Sequence, residues 1–273
     1  MMKMIRKILL YLILTIAALS FIYPFIWMIM ASLSPDQEIS RLILLPSEIT
    51  FENYQSMIRR IPIGRALFNS IFVSTINTAF SLVFSSMVGY ALSRMEFKGR
   101  NLIFFILIFT MTLPFLITLI PNYILMVKFR WIDTYLSLTV PFMINAFSII
   151  MFRQAFMGLP QAIIDAARID GCGELRIVFT ILWPNIKPTI IMVGILAFMG
   201  SWNEVLWPLI VIRKEELMTM PQLVTLFAVG GRAEAQIGVK LASAVLLAAP
   251  IIITYLFFQK YFIQSMASTG LKE

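Results

Sequence analysis

Residues 8–30 read ILLYLILTIAALSFIYPFIWMIM and contain no charged side chain. A helix needs about 20 apolar residues to cross the hydrocarbon core of a bilayer, so this stretch is long enough to span one. Lys3, Arg6 and Lys7 precede it. Secretory signal peptides share such a basic start, but their apolar core runs only about 7–15 residues and ends at a small-residue cleavage site. The run here is longer and no clear site follows, so it reads as an uncleaved first transmembrane helix.

Five more segments pass the same test: 68–92, 102–124, 136–156, 189–212 and 241–258. The expected fold is therefore an all-α integral membrane protein with six transmembrane helices. Composition agrees, because 60% of the residues are hydrophobic and 13% are charged, against about 25% charged in soluble domains. A surface that faces lipid needs no polar cover. The chain has one cysteine and no histidine. That excludes an intrachain disulfide and removes the commonest metal ligand and general base. The net charge of +8 is read as basic loops that hold the spans in orientation, not as a nucleic-acid surface. Six spans place both termini on one side. Arg94, Lys98, Arg100, Arg168, Arg176 and Lys187 fall on the side of the basic N-terminus, which makes that side cytoplasmic.

Between the fourth and fifth spans lies a long loop, residues 158–184, GLPQAIIDAARIDGCGELRIVFTILWP. Pro160 suits a first helical turn, residues 161–170 are good helix formers, and Gly171 and Gly173 are expected to stop that helix. A second short helix is expected from Glu174 to Leu182, ending before Pro184. Ala166 and Ala167 would leave a smooth surface on which another protein's groove could close. On physical grounds two readings stand: a docking element, or an amphipathic linker lying in the membrane interface.

The pattern Asp165-Ala166-Ala167-x3-Gly171-x9-Ile181-x-Trp183-Pro184 resembles the EAA loop of binding-protein-dependent ABC importer permeases. That family's pattern is Glu-Ala-Ala, three residues, Gly, nine residues, then Ile-x-Leu-Pro. Asp165 departs from the usual Glu and Trp183 from the usual Leu, while the spacing is kept. Further pieces resemble the shorter permease of the maltose-type carbohydrate-uptake subfamily: Phe51-Glu52-Asn53-Tyr54, Asn69-Ser70, residues 90–100 (YALSRMEFKGR), Trp202-Asn203-Glu204 and residues 260–264 (KYFIQ).

The resemblance implies that residues 1–67 carry the first span and an external segment. Residues 68–273 would then form a five-helix permease core with the coupling loop at 158–184. It implies that Asp165, Ala166, Ala167 and Gly171 form a coupling helix docking on a cytoplasmic ATPase dimer. It implies a second permease subunit, an extracytoplasmic solute-binding protein and a sugar as partners, in a bacterial or archaeal inner membrane. The chain has no Gly-x4-Gly-Lys-Ser/Thr phosphate loop. No cofactor is thus expected in it; ATP and magnesium belong to the partner, and this chain is not an enzyme.

Glu204 is the only acid well inside an expected span, and intramembrane acids default to function. With Trp202 and Asn203 it is a candidate for the translocation path, through stacking and hydrogen bonding to a sugar. The bland alternative is that the span ends sooner or that Trp202 and Asn203 pin helices together. Asn69, Asn77 and Asn145 are expected to make interhelical hydrogen bonds, with cavity lining as their second reading. Two other functions are weighed: a secondary transporter or channel, which predicts inverted repeats that are not visible, and an importer for a non-sugar solute such as a glycerol-phosphate ester, which would want basic residues in its central spans.

Overall fold

A computed structural model describes residues 2–39, 46–229 and 236–270. Among them the regular structure is helical. Three helices are long and apolar enough to cross a membrane unaided: Lys3–Ser32, Ile63–Arg94 and Ile237–Phe257. Three more candidates are bent pairs, giving six spans if each pair counts as one. Six apolar runs are thus present, but half of them are not straight.

The bends have local causes. Arg100–Thr112 meets Phe115–Lys128 at 103°. Leu113 is extended because Pro114 crowds the residue before it out of the α region. The run 102–124, expected as one crossing, is therefore broken. Tyr135–Phe142 meets Ala146–Met157 at 41°. The side chain of Asn145 caps the second helix, accepting from the Phe147 amide at 2.8 Å and the Ser148 amide at 3.4 Å. Asn145 thus caps a helix in place of the expected interhelical bond, and it also lines a cavity, the second role expected of it. Glu174–Asn185 meets Lys187–Trp202 at 95°. The expected span 189–212 also stops early, because its helix ends at Trp202 and a short one, Leu206–Val211, starts after a break.

The chain forms two compact units. The first comprises residues 1–63 and 223–250. In it Asn53, on the short helix Glu52–Arg60, donates to the carbonyls of Ser32 and Ser34 at 3.0 and 2.8 Å. Tyr54 and Ser32 share a hydrogen bond of 2.8 Å. These contacts explain the Phe51-Glu52-Asn53-Tyr54 segment as a staple on the end of the first helix. Residues 40–45 of the external segment lie outside the described residues.

The second unit comprises residues 64–222 and 251–273. Its axis is the helix Ile63–Arg94, about 48 Å long at 1.5 Å per residue. One buried face of this helix is polar and includes Asn69, Ser70, Ser74, Asn77, Ser81 and Ser85. Asn69 donates to the carbonyls of Glu216 and Met218, both at 2.9 Å, and accepts from the Tyr135 hydroxyl at 2.7 Å. Ser70 accepts from the Met220 amide at 2.7 Å. Gly89 lets Ala146–Met157 approach closely, since a Cβ there would stand 2.8 Å from the Phe152 Cβ and 3.0 Å from the Arg153 amide nitrogen. Small residues serve this purpose at helix crossings in membranes.

Candidate functional site

The loop between Met157 and Lys187 is built as two helical arms. The first, Gln161–Ile169, turns Ile164 and Ala167 inward, three residues apart and hence on one face. Both join a core that includes Tyr90, Phe152, Phe156, Ile177 and Val178. Asp165, Ala166 and Ile169 point the other way, and Ile169 is 86% exposed. The expected smooth pair of alanines is therefore split: Ala166 is open, whereas Ala167 is packing.

The arm ends at Gly171, whose φ of +76° is the left-handed conformation that favours glycine. Its amide donates to the Arg168 carbonyl at 3.0 Å, and the Cys172 amide donates to the Ala167 carbonyl at 2.9 Å. These two bonds close the C-terminus of the helix. Gly173 is extended and precedes the next helix, so Gly171 alone makes the turn. The second arm runs past its expected end, through Pro184 to Asn185. A π-helical stretch, Ile177–Leu182, precedes the proline, and the Asn185 side chain donates to the Ile181 carbonyl at 2.7 Å.

Across the elbow, Arg168 Nε and Glu174 Oε1 lie 3.0 Å apart. The Tyr90 hydroxyl donates to Glu174 Oε2, and Arg168 reaches that hydroxyl at 3.5 Å. The bond from Tyr90, and then Arg168, holds the Glu174 carboxyl below the usual carboxylate range, against an opposing effect of burial. Arg94, at the end of the same helix as Tyr90, donates to the carbonyls of Phe156 and Leu159 and to Gln161 Oε1. Both arms are thus tied to Ile63–Arg94, while the outer face of the first stays open.

The other candidates separate. Trp202 is 1% exposed and stacks on Phe198 with ring centroids 6.0 Å apart. Asn203 is exposed at the helix end. Glu204 sits in the break and lines a cavity of about 170 Å³ together with Asn77, Ser81, Ser201, Trp207 and Thr219. Its Oε1 accepts from the Trp207 amide at 3.0 Å.

Nothing local in the sequence marks Tyr90, Arg168 and Glu174 as a cluster or points to Thr219, and Arg94 reads there only as one of the basic residues that set the topology. The one available signal was the opposite charge of Arg168 and Glu174 on the two sides of a glycine turn.

A family model described as "Binding-protein-dependent transport system inner membrane component" matches residues 81–268. The arabinooligosaccharides transport system permease protein of Halalkalibacterium halodurans is 37% identical, over 92% of this chain and 91% of its own. The lactose transport system permease protein of Rhizobium radiobacter is 29% identical, over 94% of this chain and 93% of its own. Among solved structures, a chain from a bacterial ABC transporter involved in the import of the acidic polysaccharide alginate matches with a TM-score of 0.82 and 28% identity, over 94% of this chain and 96% of that one.

Proposed function

The chain belongs to the family of binding-protein-dependent transport system inner membrane components, and we propose that it serves an ATP-driven importer for a sugar or oligosaccharide. In this reading the loop 158–184 faces the cytoplasm. Its first arm docks on one half of an ATPase dimer, which binds ATP and magnesium and performs the hydrolysis. A second permease subunit completes the pathway, and an extracytoplasmic binding protein delivers the sugar.

The observation that carries this reading is the two-sided first arm. Its inner face, Ile164 and Ala167, is packed. Its outer face presents an exposed aliphatic side chain, Ile169, beside Asp165 and Ala166. A single exposed apolar side chain is ordinary by itself; what supports docking here is that this open face carries Asp165 and Ala166 of the Asp165-Ala166-Ala167-x3-Gly171 pattern. Because the second arm is tied to Ile63–Arg94 through Glu174 and Tyr90, and the first through Gln161 and Arg94, a force on that face passes directly to a long membrane helix. Closure of the ATPase dimer would tilt this helix and switch the cavity between the two sides of the membrane.

The test is copurification. Asp165→Lys and Ile169→Asp, each expressed with the sister permease and the ATPase, should lose the ATPase and keep the permease pair. Retention of the ATPase by both variants would mean that this face of the arm is not where the ATPase docks.

A further inference from the structure

The cavity at Glu204 holds unmet hydrogen-bonding capacity. Asn77 is 4% exposed and Thr219 is 6% exposed. The Asn77 amide donates to the Leu138 carbonyl at 3.2 Å and to Ser201 Oγ at 3.0 Å. Its Oδ1 and the Thr219 Oγ1 have no hydrogen-bond partner among the described residues. Each buried polar atom left in this state costs about 1–3 kcal/mol, so a hydrogen-bonding guest that reaches them is favoured.

The character of that guest follows from the lining. The Asn77 carbonyl oxygen and the Glu204 carboxylate both ask for donors, and the Thr219 hydroxyl serves either way. Trp207 offers an aromatic wall. Among the described residues no lysine or arginine lines the space, so a carboxylate or phosphate would meet Glu204 with no counter-charge. At about 170 Å³ the cavity falls below the roughly 300–1,000 Å³ of sites for drug-sized ligands, which suits a single ring and not a whole oligosaccharide.

We infer that this cavity is a subsite for one neutral saccharide ring within this subunit, and that Glu204 selects against anionic rings. The inference rests on the importer reading and narrows its substrate class. Hydroxyl groups on the ring donate to Asn77 Oδ1 and to Glu204, while Thr219 completes the set.

The test uses the assembled importer in nanodiscs, without its binding protein, so that selectivity belongs to the membrane part. Equilibrium binding is measured for radiolabelled lactose, arabinotriose and trigalacturonate. The neutral probes should bind saturably and trigalacturonate should not. Asn77→Leu and the near-isosteric Thr219→Val should each weaken neutral binding by about tenfold, the size of one lost hydrogen bond. Glu204→Gln should narrow the preference for neutral over acidic probes by a similar factor. If Asn77→Leu does not assemble, Thr219→Val and Glu204→Gln decide. Unchanged neutral binding in the variants would mean a cavity filled only by water and would overturn the inference, as would a wild type that prefers trigalacturonate. Uptake into proteoliposomes with the binding protein separates the two levels. Import of a neutral saccharide that the variants leave untouched would sink this subsite alone, whereas a wild type that imports no saccharide would sink the importer reading with it.

Discussion

Arg168 and Glu174 face each other across the turn at Gly171, Nε to Oε1 at 3.0 Å, with the Tyr90 hydroxyl closing the third side. The two side chains are 39% and 41% exposed, so solvent screens the pair and its worth to global stability is at most about 1 kcal/mol. Its importance is geometric, because it fixes the angle between the two arms of the loop. Glu174→Gln should therefore leave the thermal midpoint of the purified complex within a few degrees of wild type, yet lower the sugar imported per ATP hydrolysed severalfold. The exchange of Arg168→Glu with Glu174→Arg should restore part of that ratio. Equal coupling in wild type and Glu174→Gln would remove the clip from the mechanism.

The same clip sets a pH response. Glu174 is held below the usual carboxylate range by Tyr90 and Arg168. A carboxyl depressed in the folded state contributes stability that is fully present above its unfolded value and is lost as pH falls through its folded value. Amide exchange at residues 169–174, corrected for intrinsic rates, should stay constant from neutral pH down to the ordinary carboxylate range and speed up only below it. Glu174→Gln should abolish that acid step.

Gly89 is a steric prediction. A methyl group there would meet the Phe152 Cβ at 2.8 Å and the Arg153 backbone at 3.0 Å. Neither is the far end of a flexible side chain, so the helices must separate. Overpacking of this kind costs about 1–3 kcal/mol. Gly89→Ala should lower the thermal midpoint of the detergent-purified complex by several degrees, and Gly89→Leu should prevent assembly. Gly64, which a Cβ would not crowd, should tolerate alanine.

Asn69 holds two backbone carbonyls and one tyrosine hydroxyl at once. Asn69→Leu would take the donor from the Met218 carbonyl and leave the Glu216 carbonyl with Arg65 Nε alone, at 3.2 Å, a loss of about 0.5–1.5 kcal/mol for each hydrogen bond. Limited proteolysis should then cut within residues 213–219 faster than in wild type, with residues 161–176 unaffected. Equal cleavage of both segments would show that Asn69 acts on the whole unit and not on this local joint.

How much of this was legible in the sequence depends on the range of the interaction. The apolar runs were, because a bilayer rewards hydropathy residue by residue and no tertiary information is needed. The break at Pro114 was not, because Pro24 and Pro250 sit inside unbroken helices and a proline alone does not tell a tolerated kink from a break. The break after Trp202 was not, because Asn203 and Glu204 are only two polar residues between apolar neighbours and leave the average of the run high. The loop helix and its glycine stop were legible from local chemistry. Which alanine faces outward was not, since alanine fits either side; Ile164 decides it by packing inward and carrying Ala167, three residues on, with it. Tyr90 and Glu174 are 84 residues apart, and the cavity joins Asn77 to Thr219. Neither meeting leaves a trace in local periodicity.

The most direct measurement is cysteine crosslinking in a Cys172→Ser background. Ala166→Cys and Ala167→Cys are placed singly in the chain, assembled with the ATPase and sister permease, and treated with a short bifunctional maleimide. A crosslink to the ATPase is expected from position 166, and none from the buried position 167. Equal crosslinking from both positions, or none from 166 in a complex that contains the ATPase, would contradict it.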